Sequence, residues 1–281
     1  MLPALSSLNL THLVRASEAA SALPTGPVVY QSGPWLEHRE THREYPAGGG
    51  GKDADGRIEH FKGLPGDERM FKVVYPGNLI FYYTGGRGRE RLILKTQPAR
   101  FGSGLIERHY EGEKDEEHLV HVHYPNGIDD YFEGEEGDER LVRSTRKDST
   151  PLGMRVITTF YEGDANEEYV VAQETADTEK NVLLTNFYRG KMNHETLVRS
   201  KDASGTVTHF EGEQGDERKV RTVDADGIIT HFKGKKNKER KVRTVSPDGT
   251  EQHFEGSQGN EQPTGVTTEW GSQRPSFRQR S

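Results

Sequence analysis

Short stretches in which β-branched or aromatic residues alternate with polar residues recur along most of the chain. In the clearest copy, residues 205–226, Thr-Val-Thr-His-Phe-Glu is followed by Gly-Glu-Gln-Gly-Asp-Glu and then by Arg-Lys-Val-Arg-Thr-Val. The two outer stretches have the composition of β-strands, and the glycine-containing stretch between them has the length of a hairpin turn. Each copy is therefore predicted to be one β-hairpin.

Three positions are constant in nine copies of this unit. A glycine, here called the anchor glycine, follows a Phe or Tyr by two residues and precedes a Glu, here called the turn glutamate, by five. The clearest sets are Phe61, Gly63 and Glu68; Tyr110, Gly112 and Glu117; Phe132, Gly134 and Glu139; Phe210, Gly212 and Glu217; and Phe232, Gly234 and Glu239. This recurrence within one chain indicates that one structural unit is reused.

The segments between units favour tight turns. Pairs such as Asp226-Gly227 and Asp248-Gly249 supply the positive φ angle that such turns require. Successive anchor glycines are 22 residues apart in five of eight steps. Residues 53–264 are therefore predicted to be all-β, an elongated single-layer antiparallel β-meander of about nine hairpins. Its edge strands could also pair with a second chain, which would make a homo-oligomer.

The two ends of the chain lack the repeat. Apolar residues at helical spacing from Leu2 to Val14 predict a short N-terminal helix, followed by an arm rich in proline and glycine, so that helix and arm together fill residues 1–52. The helix is interpreted as a cap on the first repeat, with docking or targeting as the alternatives. Residues 265–281 are predicted to be a disordered basic tail.

Composition agrees with a repeat protein. Hydrophobic residues make up 31% of the chain and charged residues 30%, too little apolar material for one large core. The net charge of −7 argues against nucleic acid as the partner of the chain as a whole. The absence of cysteine excludes disulfides and thiolate chemistry and fits a cytoplasmic location, although the serine-containing, acid-poor N-terminus also fits organelle targeting.

The aromatic-x-Gly units, followed by a loop and an Asp-Gly turn, resemble MORN repeats. The residues that carry the resemblance are Tyr110-Glu111-Gly112, Phe132-Glu133-Gly134 and Phe254-Glu255-Gly256, within a span of 53–262. The tryptophan that the family has after the glycine is absent, and Glu-Arg follows the loop instead. The unit is therefore a divergent, MORN-like repeat of aromatic-x-Gly-x4-Glu form. The resemblance implies a scaffold or adaptor, sometimes near membranes or the cytoskeleton. YD-type shell repeats of bacterial toxins share the Asp-Gly rhythm but lack the fixed Glu.

The turn of the eighth unit is strongly basic, whereas most other turns are acidic. Residues 233–243 could bind an anionic phosphoinositide lipid headgroup, nucleic acid or an acidic protein, although a solvated run of charge is the simpler explanation. The candidate anion-binding residues are Lys233, Lys235, Lys236, Lys238, Arg240, Lys241 and Arg243.

Histidines recur three residues before the anchor glycine, for example His209 and His231. Phe and Tyr occupy the same position in other units, which favours a packing role over metal binding. His121 and His123 lie on one face of a predicted strand and could share a metal ion with a carboxylate, but no third ligand follows at a diagnostic spacing. No cofactor is therefore expected.

The sequence contains no phosphate-binding glycine loop, nucleophile elbow or pair of catalytic carboxylates outside the repeats. We therefore expect a non-enzymatic scaffold or adaptor that binds a protein partner of unknown identity. The alternative is a peripheral membrane or anion-binding module that uses the basic turn.

Overall fold

The computed structural model describes residues 40–44, 55–64, 66–151 and 153–268. The regular secondary structure of these residues consists of β-strands. The strands are β1 Glu40–Glu44, β2 Ile58–Lys62, β3 Arg69–Tyr75, β4 Leu79–Thr84, β5 Arg91–Pro98, β6 Leu105–Glu111, β7 His118–His123, β8 Asp129–Glu133, β9 Arg140–Thr150, β10 Gly153–Glu162, β11 Tyr169–Ala176, β12 Val182–Arg189, β13 Thr196–Asp202, β14 Val207–Glu211, β15 Arg218–Val223, β16 Ile229–Lys233, β17 Arg240–Val245, β18 Glu251–Glu255 and β19 Gln262–Thr267.

The strands form one open antiparallel sheet in which each strand pairs with the next along the chain. Strands β2 to β19 make up nine hairpins, which confirms the predicted all-β meander. Strand β1 is an addition to the predicted fold, since the arm places Glu40–Glu44 against Lys62–Ile58 of β2. The helix predicted near the N-terminus lies outside the described residues. Within them, no helix is long and apolar enough to span a membrane.

Burial is limited in this sheet. Among the described residues, the buried side chains are Val73, Val122 and Val142, with Thr96 and Thr159. Strands in extensive contact are neighbours along the chain, and most strand residues are half-buried. Each hairpin therefore buries a narrow seam against its neighbours, as the low apolar content indicates.

The nine hairpin turns share one construction. At each anchor glycine φ lies between +114° and +143°. Four residues later, a backbone N–H closes the turn on the carbonyl three positions back, as from Asp216 to Glu213 at 2.9 Å. The residue three after the anchor also has positive φ, from +61° to +90°, as in a type II turn. That position is always Gly, Asn or Asp, the residue types that adopt this conformation most readily.

A β-bulge follows every one of these turns. In the seventh hairpin, Phe210 pairs with Lys219 while His209 pairs with Arg221, so Val220 is an extra residue on the second strand. The same shift occurs beside the aromatic position of the other eight hairpins. The bulge changes which residues of the second strand share a face. If residues of that strand are assigned to faces by strict alternation, those on one side of the bulge are assigned to the wrong face.

The register across the turn agrees with the sequence pattern. Glu133 faces Arg140 and Glu211 faces Arg218. Both pairs form ion pairs with nitrogen–oxygen distances of 3.3 Å. These side chains are largely exposed, so each pair contributes little to stability.

Candidate functional site

The turn glutamates join successive hairpins. Glu239 Oε1 accepts a hydrogen bond from the backbone N–H of Lys219, and Glu261 Oε1 accepts one from that of Lys241, both at 3.1 Å. Five further bonds of this kind, 2.8–3.5 Å long, are Leu92 to Glu117, Leu119 to Glu139, Leu141 to Glu168, Val170 to Glu195 and Leu197 to Glu217. Each of these glutamates therefore connects its own hairpin to the preceding one.

The donor N–H groups lie where the ladder between two hairpins has ended. Strands β15 and β16 pair from Val223↔Ile229 to Arg221↔His231, and Lys219 lies beyond the last pair. A backbone N–H left without an acceptor there would cost stability. The turn glutamate of the next hairpin supplies that acceptor.

The same carboxylates also bind within their own turns. Gly66 donates its backbone N–H to Glu68 Oε2 at 2.8 Å, and Gly137 donates to Glu139 Oε2 at 3.1 Å. Each of these two glutamates therefore also accepts an N–H group of its own turn. The bond between hairpins is not predicted by the sequence pattern, because spacing within one unit gives no information about contacts between units.

Hydrogen bonding lowers the pKa of several turn glutamates. At four of them desolvation raises the pKa, but backbone N–H donors outweigh that effect and bring it below the ordinary value; these are Glu139, Glu168, Glu217 and Glu239. For Glu261 the backbone hydrogen bonds are the leading cause, and they too lower the pKa. The ionised form is thus the one that holds the hairpins together.

The histidines three residues before the anchor belong to a row of cross-strand partners. In the C-terminal half, Arg199, His209, Arg221, His231 and Arg243 are successive partners. Arg221 Nη2 donates to His209 Nε2 at 2.9 Å, and Arg243 Nη2 donates to His231 Nε2 at 3.2 Å. Desolvation, with nearby arginine charge, lowers the pKa of His209 and His231. The histidines are therefore neutral acceptors for the arginines.

Aromatic stacking continues this row in the N-terminal half. The rings of His109 and His121 stack with their centroids 5.2 Å apart, and those of His121 and Tyr131 stack at 4.6 Å. The Arg143 guanidinium lies 3.9 Å from the centre of the Tyr131 ring. These contacts match the packing role expected for the recurrent histidines.

The second histidine group is gathered around one carboxylate. His121 Nε2 and His123 Nδ1 donate to Asp129 Oδ1 at 3.0 and 2.8 Å. Desolvation raises the pKa of Asp129, but these two hydrogen bonds and the nearby histidine charges bring it below its ordinary value. Among the described residues, no group of three His, Asp or Glu side chains is arranged to hold a metal ion.

The basic residues of 233–243 are divided among several surfaces. Lys233, Lys235 and Lys238 are exposed at the turn edge of the sheet. Arg240 is the register partner of Lys233, which places two like charges opposite each other. These four residues form one group at or beside the turn.

Lys236 contacts the preceding turn. Its Nζ donates to the Gly215 carbonyl at 2.7 Å and lies 3.5 Å from Glu217 Oε2. Basic residues two after the anchor glycine make the same contact in other turns, Arg87 to the Gly66 carbonyl and Lys114 to the Gly88 carbonyl. Lys236 is thus part of the framework as well as of the basic turn.

Lys241 and Arg243 lie on opposite faces of the sheet. Lys241 is the partner of Phe232, whereas Arg243 is the partner of His231, the preceding residue on β16. The Lys241 ammonium lies 3.8 Å from the centre of the Phe254 ring. The seven candidate residues are therefore not brought together on one surface.

No family model and no curated protein matches this chain. A crystal structure of TcdB2-TccC3-TEV matches 79% of this chain at 10% identity and a TM-score of 0.22, and the match covers 15% of that chain. A porin-like protein from Bacteroides uniformis ATCC 8492 matches 82% of this chain and 96% of its own length, at 9% identity and a TM-score of 0.20. Similarities this weak carry no conclusion about function. The sheet itself defines a β-hairpin repeat protein.

Proposed function

We propose that this protein is a non-enzymatic repeat scaffold, a divergent MORN-like adaptor whose elongated single-layer sheet binds a partner protein. The main support is the turn-glutamate bond that joins one hairpin to the next, as from Lys219 to Glu239 and from Lys241 to Glu261. Repeated bonds of this kind hold successive hairpins in register. A sheet joined in this way presents long rows of side chains in a fixed arrangement.

The division of roles within each unit also supports a scaffold. The constant positions serve the framework, because Gly212 allows the turn, Phe210 lies opposite the bulge and Glu217 bonds the neighbouring hairpin. Positions that differ between units carry the half-exposed side chains of the faces. Variable side chains on a repeated frame are typical of repeat proteins that bind other proteins.

Crosslinking mass spectrometry on the full chain in its native cell tests this function. We expect one partner protein to crosslink repeatedly to lysines of residues 53–264. The control is the same crosslinking experiment on an unrelated protein of similar net charge. Lys201 and Lys219 lie on opposite faces, so the crosslinked lysines would also identify the docking face. Absence of a partner enriched over the control would contradict the scaffold function.

The alternative is a peripheral membrane or anion-binding module that uses the basic turn. The exposure of Lys235 and Lys238 in that turn supports it. The charge reversal Lys235→Glu with Lys238→Glu is then expected to abolish salt-sensitive binding to phosphatidylserine vesicles. Lys147→Glu with Lys191→Glu is the matched control, since Lys191 holds the position of Lys235 in another turn. Vesicle binding that survives the first pair, measured by sedimentation, would contradict this alternative.

A further inference from the structure

Acidic residues of the C-terminal hairpins are committed to the backbone. Asp202 Oδ1 accepts the N–H groups of Ser204 and Thr206 at 2.9 and 3.0 Å. In the next connection, Asp224 accepts N–H groups in the same way, at 3.1 and 2.9 Å. The turn glutamates at the opposite edge also bind backbone donors. Asp224 and the turn glutamates lie in connections and turns, and Asp202 is the last residue of β13, on the face opposite His209.

Cations of the same hairpins are concentrated on one face. Register partners share a face, as do alternate residues on the same side of a bulge. On β13 to β17, the face that carries His209 and His231 also carries Arg199, Lys201, Arg218, Arg221, Lys233, Arg240 and Arg243. One carboxylate lies on this face of these strands, Glu211, which pairs with Arg218 at 3.3 Å. This face of β13–β17 is here called the cationic strip.

Two central arginines of the strip contact rings and no carboxylate. The Arg199 guanidinium lies 3.9 Å from the centre of the Phe187 ring, and Arg221 donates to His209. Within the described residues, neither forms an ion pair with Asp or Glu. Their positive charge is therefore uncompensated although both side chains are half-buried.

The opposite face of these strands is different. Its central row consists of Ser200 followed by Thr208, Thr222, Thr230 and Thr244. Its two cations are each placed over a ring, with Lys219 3.9 Å from the centre of Phe232 and Lys241 3.8 Å from that of Phe254. The excess of positive charge thus belongs to one face.

We propose that the cationic strip binds an acidic segment of the partner protein in extended conformation, a proposal that rests on the scaffold function above. Arg199, Arg221 and Arg243 lie two strands apart, which corresponds to steps of about 10 Å across the sheet. Arg243 also pairs with Glu251 of β18 at 3.0 Å, so the uncompensated charge is that of Arg199 and Arg221. A polyproline II chain, the extended conformation with three residues per turn, advances about 3.1 Å per residue. Acidic residues at every third position therefore lie on one side of it at steps of about 9 Å, close to the spacing of the arginines. The five strands span about 19 Å, the length of about six extended residues.

The surroundings of the strip favour a single extended chain over a broad anionic surface. Exposed acidic residues lie beside it, Asp226 and Asp248 in the connections at one edge and Glu213 and Asp216 in one turn at the other. The next turn at that second edge carries the exposed Lys235 and Lys238. A lipid bilayer or a nucleic acid duplex laid over the face would also approach these carboxylates and be repelled by them. An extended peptide crosses the strands between the two edges and avoids them.

Fluorescence anisotropy with the full chain tests this proposal. The probe is fluorescein-labelled Glu-Gly-Gly-Glu-Gly-Gly-Glu at low salt, with the same peptide carrying Gln for Glu as its control. Arg199→Gln with Arg221→Gln is expected to weaken binding at least tenfold. Lys219→Gln with Lys241→Gln removes as many charges from the opposite face and is expected to change binding less than twofold. Arg199→Lys with Arg221→Lys should keep most of the binding, because the charge remains.

Thermal unfolding of each variant establishes that the sheet is intact. The proposal would be overturned if the Gln peptide bound as tightly as the Glu peptide, or if the Glu peptide did not bind. It would also be overturned if the arginine and the lysine replacements weakened binding of the Glu peptide equally. Tighter binding to phosphatidylserine vesicles or to a twelve-residue oligothymidylate would overturn it too. If a crosslinked partner still binds after the arginine replacements, the proposal for the cationic strip is contradicted and the scaffold function is not. Strip-dependent peptide binding without any crosslinked partner would contradict the scaffold function alone.

Discussion

Replacing the anchor glycine Gly212 by alanine is expected to destabilise the protein by roughly 3 kcal/mol, through backbone strain and a steric clash. Gly212 has φ of +132°, and a Cβ at this position would lie 2.5 Å from the Asp216 carbonyl oxygen. The obstacle is backbone of the same turn, so no side chain can move aside to relieve it. Urea unfolding gives the free energy, and amide hydrogen exchange of β14 and β15 should show the loss locally.

Gly215 provides the matched control in the same turn. It also has positive φ, +82°, but a Cβ there would meet nothing within 4 Å. Asn237 holds the equivalent place in the next turn with φ of +61°. Gly215→Asn is therefore expected to change the free energy of unfolding by less than about 1 kcal/mol. Equal losses at Gly212 and Gly215 would show that positive φ alone, without the clash, explains the anchor glycine.

The fold follows from the sequence because each unit contains its own turn and strand signals. The anchor glycine lies where the backbone needs positive φ, and the oppositely charged Glu211 and Arg218 face each other across the turn. One further signal is present in the sequence, since the position three after the anchor is Gly, Asn or Asp in every unit. The bond from Lys219 to Glu239 has no such signal, because it depends on how two units lie side by side.

The candidate site was harder to predict, because neighbours in sequence separate in a pleated sheet. The basic run 233–243 is cationic apart from Glu239, yet its basic residues lie at the turn edge and on both faces. Conversely, Arg199 and Arg221 lie 22 residues apart and share a row with His209 between them. The bulge at Val220 adds to the difficulty, because it shifts alternation within the strand. Docking by the N-terminal helix stays a prediction.

Acid is expected to weaken the bonds between several hairpins over one range of pH. Five turn glutamates have a pKa below the ordinary value in the folded protein: Glu139, Glu168, Glu217, Glu239 and Glu261. Their stabilising contribution is complete above the pKa of an unfolded-chain glutamate, about 4.3. It is lost as pH falls through the lower folded-state pKa, because the unfolded chain then binds more protons. Unfolding free energies measured at intervals from pH 6 to pH 3 should decline below about pH 5.

Removing the charge of one turn glutamate should reproduce part of the acid effect at neutral pH. The Glu217 side chain is 14% exposed and accepts the backbone N–H of Leu197. Glu217→Gln keeps an acceptor oxygen but loses the charge, so we expect a loss of about 1 kcal/mol at pH 7 and a shallower decline of stability in acid. Glu213→Gln changes an exposed residue of the same turn and should alter stability by less than about 0.5 kcal/mol. Unchanged stability and pH dependence in Glu217→Gln would show that the ionised Glu217 does not join its hairpin to the preceding one.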